Sequence, residues 1–143
     1  MIRFFSENIS FKLKKKTNLK KWLLDVFELE KAKAKDINFI LCDDNYLLDI
    51  NKKYLNHNYY TDIITFDTSL EDDKHISGDI FISLDMVKEN AENYKTGFEN
   101  EILRMLIHGI LHLLGYKDKD EKNKKIMTLK EDFYINLYVS KYI

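Results

Sequence analysis

"ENEILRMLIHGILHLLG", residues 99–115, is apolar on too many sides to lie on a protein surface. Ile102, Leu103, Met105, Leu106, Ile107, Ile110, Leu111, Leu113 and Leu114 leave no wide polar stripe, and a helix that is apolar nearly all round must be covered by other elements. Its covers can be read outward along the chain. "DINFILC" (36–42), "TDIITFD" (61–67) and "GDIFISL" (78–84) carry the β-branched and aromatic runs of strands, and "MIRFF" (1–5) and "ISFKL" (9–13) are expected as short edge strands. The continuous apolar run of "DINFILC" predicts a strand buried on both faces. Helices are expected over Leu19–Lys33, over 43–56 with Asp43 or Asp44 as cap, and over 83–95, started by Ser83 or Asp85 and ended by Gly97. Another runs from Phe98 to Leu114, and residues 120–143 form a C-terminal amphipathic one.

Strands interleaved with helices predict an α/β (α+β) fold, with a roughly four-stranded mixed sheet packed by helices and the histidine-bearing helix buried against it. The 143 residues are expected to form one domain, 1–143, large enough to bury a core without staples. Cys42 is the only cysteine, so no disulfide framework is available, and it reads as a small buried hydrophobe. No apolar run reaches membrane-span length, and "MIRFFSENISFKLKKK" lacks the apolar centre of a secretion signal, so the expected location is cytoplasmic.

The net charge of −1 hides an asymmetry. Residues 1–35 hold ten Lys/Arg and four Asp/Glu, a local charge of +6 that leaves −7 for the rest. The cluster Lys12, Lys14, Lys15, Lys16, Lys20 and Lys21 is therefore the candidate surface for contacting phosphates.

His108 and His112, spaced i and i+4, share one face of the buried helix, and Arg104 falls on the same face. Two imidazoles one turn apart converge on a point where a cation such as zinc fits. Gly115 can end the helix in a left-handed conformation and turn the chain back toward that point. Asp118 and Asp120 are then candidate third ligands, Asp118 being the better placed, whereas a charged Lys117 cannot ligate. Two imidazoles and one carboxylate leave a fourth position open for water. Metalloproteases built on this spacing need a glutamate after the first histidine as base. Gly109 stands there, where it allows another group to approach the helix closely.

"RMLIHGILHLLGYKD" (104–118) resembles the signature of the YbeY family, bacterial rRNA maturation factors and metal-dependent endoribonucleases, usually written HGxLHLxGYDH. His108, Gly109, Leu111, His112, Leu113, Gly115 and Tyr116 match it letter for letter. "TDIITFD" resembles the family's TDVLSFP segment, "SGDIFIS" its GDIxIS strand and "INKKYL" its LNxxYR, in the expected order from about Ile40 to Lys130. Two positions depart from the pattern. The family's third histidine falls on Asp118, after Lys117 in place of aspartate, and the arginine after the LNxxY tyrosine falls on Leu55. Aspartate is itself a zinc ligand, with a harder donor and one more negative charge, whereas Leu55 cannot take over an arginine's role.

The resemblance implies a zinc-dependent, single-strand-specific endoribonuclease with one Zn2+ per chain held by His108, His112 and Asp118. It further implies maturation of the 16S rRNA 3′ end and late-stage 70S ribosome quality control. The implied partners are the small subunit and assembly proteins such as the GTPase Era, with no membrane and no dinucleotide cofactor.

Catalysis is expected of His108, His112 and Asp118, and substrate binding of Arg104, Lys14, Lys15 and Lys16. Arg104 can alternatively pair with Asp62 or Asp79, since a buried arginine needs a partner. Asp62 reads as a hydrogen-bonding residue at a strand entry. His57, Tyr59 and Tyr60 are candidates for stacking on bases, and His75 is expected to face solvent. Two other readings stand beside the nuclease: a non-catalytic ribosome-assembly factor with a structural metal, and a zincin-like hydrolase of another substrate, against which Gly109 argues.

Overall fold

The computed structural model describes residues 1–143. Along the chain it orders β1 (Ile2–Glu7), α1 (Lys16–Leu29), β2 (Lys33–Cys42), α2 (Asp44–Leu55) and β3 (Ile63–Asp67). These are followed by β4 (His75–Ser83), α3 (Leu84–Asn93), α4 (Phe98–Leu113) and α5 (Glu121–Tyr142). The strands form one sheet in the order β1-β2-β4-β3. The first three are parallel, and β3 runs antiparallel to β4 at the edge. The expected mixed four-stranded sheet with covering helices is thus present.

Alternation along the strands separates two faces. Ile2 of β1, Ile37, Phe39 and Leu41 of β2, and Ile80 and Ile82 of β4 point into the main core, against Trp22, Leu23 and Phe27 of α1 and the apolar sides of α4. On the opposite face Cys42, Leu47 and Ile64 form a small second cluster with Phe66 and Phe81. The expectation that "DINFILC" is buried on both faces therefore fails at Asn38 and Ile40, which are only half-buried. α2 reaches the Cys42 end alone, and Asn38 instead donates its amide to Asp79 Oδ1 at 3.0 Å.

α4 is the helix of the opening stretch, and ten of its residues are buried, from Glu101 to Leu113. It crosses β4 closely because of Gly109. A Cβ at that position would lie 2.7 Å from Ile80 Cγ2 and 2.9 Å from Ile80 Cδ1. The close approach allowed by this glycine is thus taken by the sheet, not by a substrate.

Other boundaries differ from expectation for local reasons. "ISFKL" is not a strand. Asn8 turns the chain at φ 59, and Ile9, Phe11 and Leu13 keep their alternation by packing on the edge of the core without a ladder partner. Helix α1 gives way at Leu29, so Lys33 opens β2. Gly97 does not end α3, which stops at Asn93, and serves instead as the N-cap of α4. The caps at Asp43 and Ser83 are as expected, with Asp43 Oδ1 accepting from the Tyr46 N–H at 2.8 Å. No helix is long and apolar enough to cross a membrane.

Candidate metal centre

α4 places His108 and His112 one turn apart on the side that α5 and the 114–120 segment close over. Gly115, at φ 101, reverses the chain after α4, and Asp118 comes back toward the two rings. His108 Nε2 lies 2.9 Å from His112 Nε2. Asp118 Oδ2 lies 3.3 Å from the first and 3.4 Å from the second. Of the two candidate third ligands, Asp118 joins the histidines, and Asp120 caps α5 by accepting from the Asn123 N–H.

The far side of each ring determines what these near sides are. His112 Nδ1 faces the Tyr116 carbonyl at 3.0 Å, which can only accept, so that nitrogen carries the proton. His108 Nδ1 donates likewise to Glu131 Oε2 at 2.6 Å. With neither Nε2 protonated, these two atoms present lone pairs toward each other and toward a carboxylate. Three acceptors this close repel one another unless a proton or a metal cation lies among them. Four donors held at roughly 2.1 Å from a tetrahedral ion lie about 3.4 Å apart, a spacing that two of the three edges match. His108, His112 and Asp118 form a group that could hold a metal ion, and the partners on their Nδ1 atoms orient the rings as metal-binding histidines require.

Charge on the site follows the same contacts. Burial alone would lower the His108 pKa. The Glu131 hydrogen bond and the nearby charges of Glu131, Asp118 and Asp62 outweigh it and raise it. Burial pushes Asp62 up, against the pull of His108 and the adjacent backbone N–H groups.

Two cavities flank the triad, and Asp62, His108 and Asp118 line both. One, of about 300 Å3, is walled by α3, α4 and α5 and includes Tyr94, Arg104, Lys124 and Thr128. The other, of about 550 Å3, runs along the edge strand through Thr61, Ile63, Thr65 and Asp67. Asp118 is 36% exposed, so the centre is open to solvent.

Arg104 does form a structural ion pair, but with different partners from those expected. Its Nη1 donates to Glu131 Oε1 at 3.0 Å and its Nη2 to Asp132 Oδ1 at 2.8 Å, both on α5, while Asp62 and Asp79 are not involved. Lys14, Lys15 and Lys16 are exposed and line neither cavity at the triad. Lys14 and Lys15 instead border a separate, mainly apolar hollow with Phe11, Leu13 and Tyr138. Tyr59 and Tyr60 are exposed, and His57 stacks on Tyr59 at 5.1 Å between ring centroids. His75 is exposed and bound to Asp73. Leu55 is exposed at the end of α2.

Glu131 is the residue at this site that the sequence reading missed. It is buried on α5 beside Met127, Tyr134, Ile135 and Tyr138, and a carboxylate on an otherwise apolar helical face was the available signal.

The family model described as Endoribonuclease YbeY matches residues 2–139. The chain belongs to the YbeY family. The Karelsulcia muelleri (strain GWSS) Endoribonuclease YbeY is 48% identical over 143 residues, covering 100% of this chain and 99% of the relative. The Flavobacterium psychrophilum Endoribonuclease YbeY is 46% identical over 134 residues, covering 94% of each. A solution structure from Thermotoga maritima superposes with a TM-score of 0.68 at 30% identity, covering 99% of this chain and 91% of that one. The YbeY signature noted in the sequence thus spans α4 and the segment that returns Asp118 to it.

Proposed function

We propose that this chain is a zinc-dependent endoribonuclease that cuts single-stranded RNA, with residues 1–143 working as one YbeY-like domain. The observation that carries the reading is the convergence of His108 Nε2, His112 Nε2 and Asp118 Oδ2, with both Nδ1 atoms already engaged. Two imidazoles and a carboxylate suit zinc and leave one position open, as a catalytic site requires. When bound there, zinc supplies Lewis acidity toward a phosphoryl oxygen and a lowered pKa for a water molecule.

The chain's own residues do the rest. Glu131 and the Tyr116 carbonyl hold the two rings in the tautomer that offers Nε2. Lys124 lines the smaller cavity and is suited to a phosphate on that side, where Arg104 contacts substrate only with its Nη1 and Nη2 already shared with Glu131 and Asp132. Lys14, Lys15 and Lys16 add phosphate contacts farther along a bound strand. The 2′-hydroxyl of RNA can serve as the internal nucleophile. Gly109 stands where a metalloprotease keeps its base, which favours a phosphodiester over a peptide. Family membership extends the proposal to a cytoplasmic role in maturing the 16S rRNA 3′ region and in late-stage 70S ribosome quality control, beside the small subunit and the GTPase Era.

The test pairs elemental analysis with cleavage of an rRNA fragment containing single-stranded segments. Wild type is expected to carry one equivalent of zinc and to cut. His112→Ala and Asp118→Ala are expected to lose both properties. An Ala variant that cuts as fast as wild type overturns the reading. Zinc removal that melts the protein, with no cleavage at any zinc level, points to a structural metal instead.

A further inference from the structure

We infer that Glu30, at the end of α1, is a positioning residue for the metal centre, acting through Tyr116 on both His112 and Asp118. The inference rests on the metal reading above and concerns a residue, Glu30, remote from the triad in the sequence.

The segment that carries Asp118 is weakly held by itself. Residues 117–119 lie outside any helix or strand, and apart from the contacts of Asp118 with the two histidines they make no hydrogen bonds. The segment is pinned at its two ends. At the far end Asp120 caps α5 through the Asn123 N–H at 2.7 Å. At the near end Tyr116 is fixed twice. Its N–H donates to the Leu111 carbonyl at 3.0 Å, and its hydroxyl donates to Glu30 Oε1 at 2.6 Å.

Glu30 is itself rigidly placed. Its other oxygen, Oε2, accepts from Lys130 Nζ at 3.0 Å and from the Tyr134 hydroxyl, both on α5. Lys130 Nζ also lies 5.6 Å from the centre of the Tyr116 ring, within cation–π range. One carboxylate thus ties together α1, α5 and the turn after Gly115.

That turn serves the metal centre at two points. The Tyr116 carbonyl is the acceptor that orients His112, and Asp118 follows two residues later. Release of the Tyr116 side chain leaves the carbonyl in place chemically but frees its position. It also leaves the near end of the Asp118 segment held by the backbone contacts of Tyr116 with Leu111 and His112 alone. Partners that orient metal ligands typically change affinity by roughly ten- to a hundred-fold when removed.

The experiment measures zinc affinity by competition with a chromophoric chelator, and the visible spectrum of the cobalt-loaded protein, for wild type, Glu30→Ala, Glu30→Gln, Tyr116→Phe and the Glu30→Ala/Tyr116→Phe pair. Glu30→Ala and Tyr116→Phe are each expected to bind zinc about ten-fold or more weakly, with an altered cobalt spectrum. The double variant is expected to be no worse than the weaker single, because both act through one contact. Glu30→Gln retains an acceptor for the Tyr116 hydroxyl and is expected to restore most of the affinity, a rescue that a purely structural role does not predict. Tyr116→Phe removes one hydroxyl and carries the test if Glu30→Ala fails to fold. Wild-type affinity and spectrum in Tyr116→Phe overturn the inference about Glu30 while leaving the metal reading intact. Failure of wild type to bind zinc or cobalt overturns the metal reading and this inference together.

Discussion

At Gly109 a single missing carbon sets how near the histidine helix comes to the sheet. A methyl group there meets Ile80 at 2.7 Å, inside contact distance, and Ile80 is fully buried with nowhere to move. Gly109→Ala is therefore expected to cost about 1–3 kcal/mol by overpacking. In an Ile80→Ala background, which removes the obstructing atoms, the same change is expected to be close to neutral. Urea unfolding of the four proteins checks both statements. The importance of Gly109 was legible in the sequence as a close approach to the helix. The approaching group was not, because nothing in the spacing of α4 states which strand lies beneath it. Asp118 was legible for a different reason. It follows Gly115 so closely that the reversal of the chain leaves few places for it to go. Glu131 was not, since its link to His108 depends on how α5 lies across α4 and no local pattern records that crossing.

Among the elements, α1 and α5 are tied together by side-chain hydrogen bonds at several points along their length. Trp22 Nε1 donates to the Tyr134 carbonyl at 2.8 Å, and Lys141 and Tyr142 both donate to Asp25. Glu30 closes the same seam from the other end. Burial alone would raise its carboxyl, but the hydroxyls of Tyr116 and Tyr134 and the Lys130 ammonium outweigh that and hold it below its ordinary 4.5. A carboxylate depressed on folding contributes stability above its unfolded pKa and loses it as pH falls through the folded value. The stability difference between metal-free wild type and Glu30→Gln is thus expected to be largest near neutrality and to vanish in acid, at a pH below 4.5. Urea unfolding of both proteins from pH 7 down to pH 3 measures it. A constant difference across that range sinks the assignment. The helices themselves were readable from periodicity and caps. Their pairing was not, because the bonds that make it join residues more than a hundred positions apart.

Over the whole molecule the charge asymmetry of the sequence becomes a separation in space. The basic run from Lys12 to Lys21 lies at the start of α1, beside the apolar hollow at Phe11 and Leu13. Acidic residues dominate the metal centre, where Asp62, Glu101, Asp118 and Glu131 meet Arg104 and Lys124. An RNA strand that uses both regions has to reach beyond the residues lining the two cavities at the triad, none of which is Lys14, Lys15 or Lys16. Lys14→Ala/Lys15→Ala/Lys16→Ala is expected to weaken RNA binding and to lower the slope of log affinity against log salt by about 2, at roughly 0.7 per phosphate contact on a single strand. The cleavage rate at saturating RNA is expected to stay at the wild-type value. An unchanged salt slope removes these lysines from the binding surface. The sequence carried the charge pattern but not its placement relative to the histidines, which depends on how the helices pack.

The dependence of α4 on α5 has a consequence for biosynthesis. A ribosome delivers His108 and His112 well before Glu131, Lys130 and Tyr134, and domains generally fold as units during synthesis. Until α5 has emerged and docked, His108 lacks the carboxylate that aims its ring, and Glu30 lacks two of the three groups that hold it. A nascent chain of this protein therefore cannot orient His108 through Glu131 before α5 has emerged and docked.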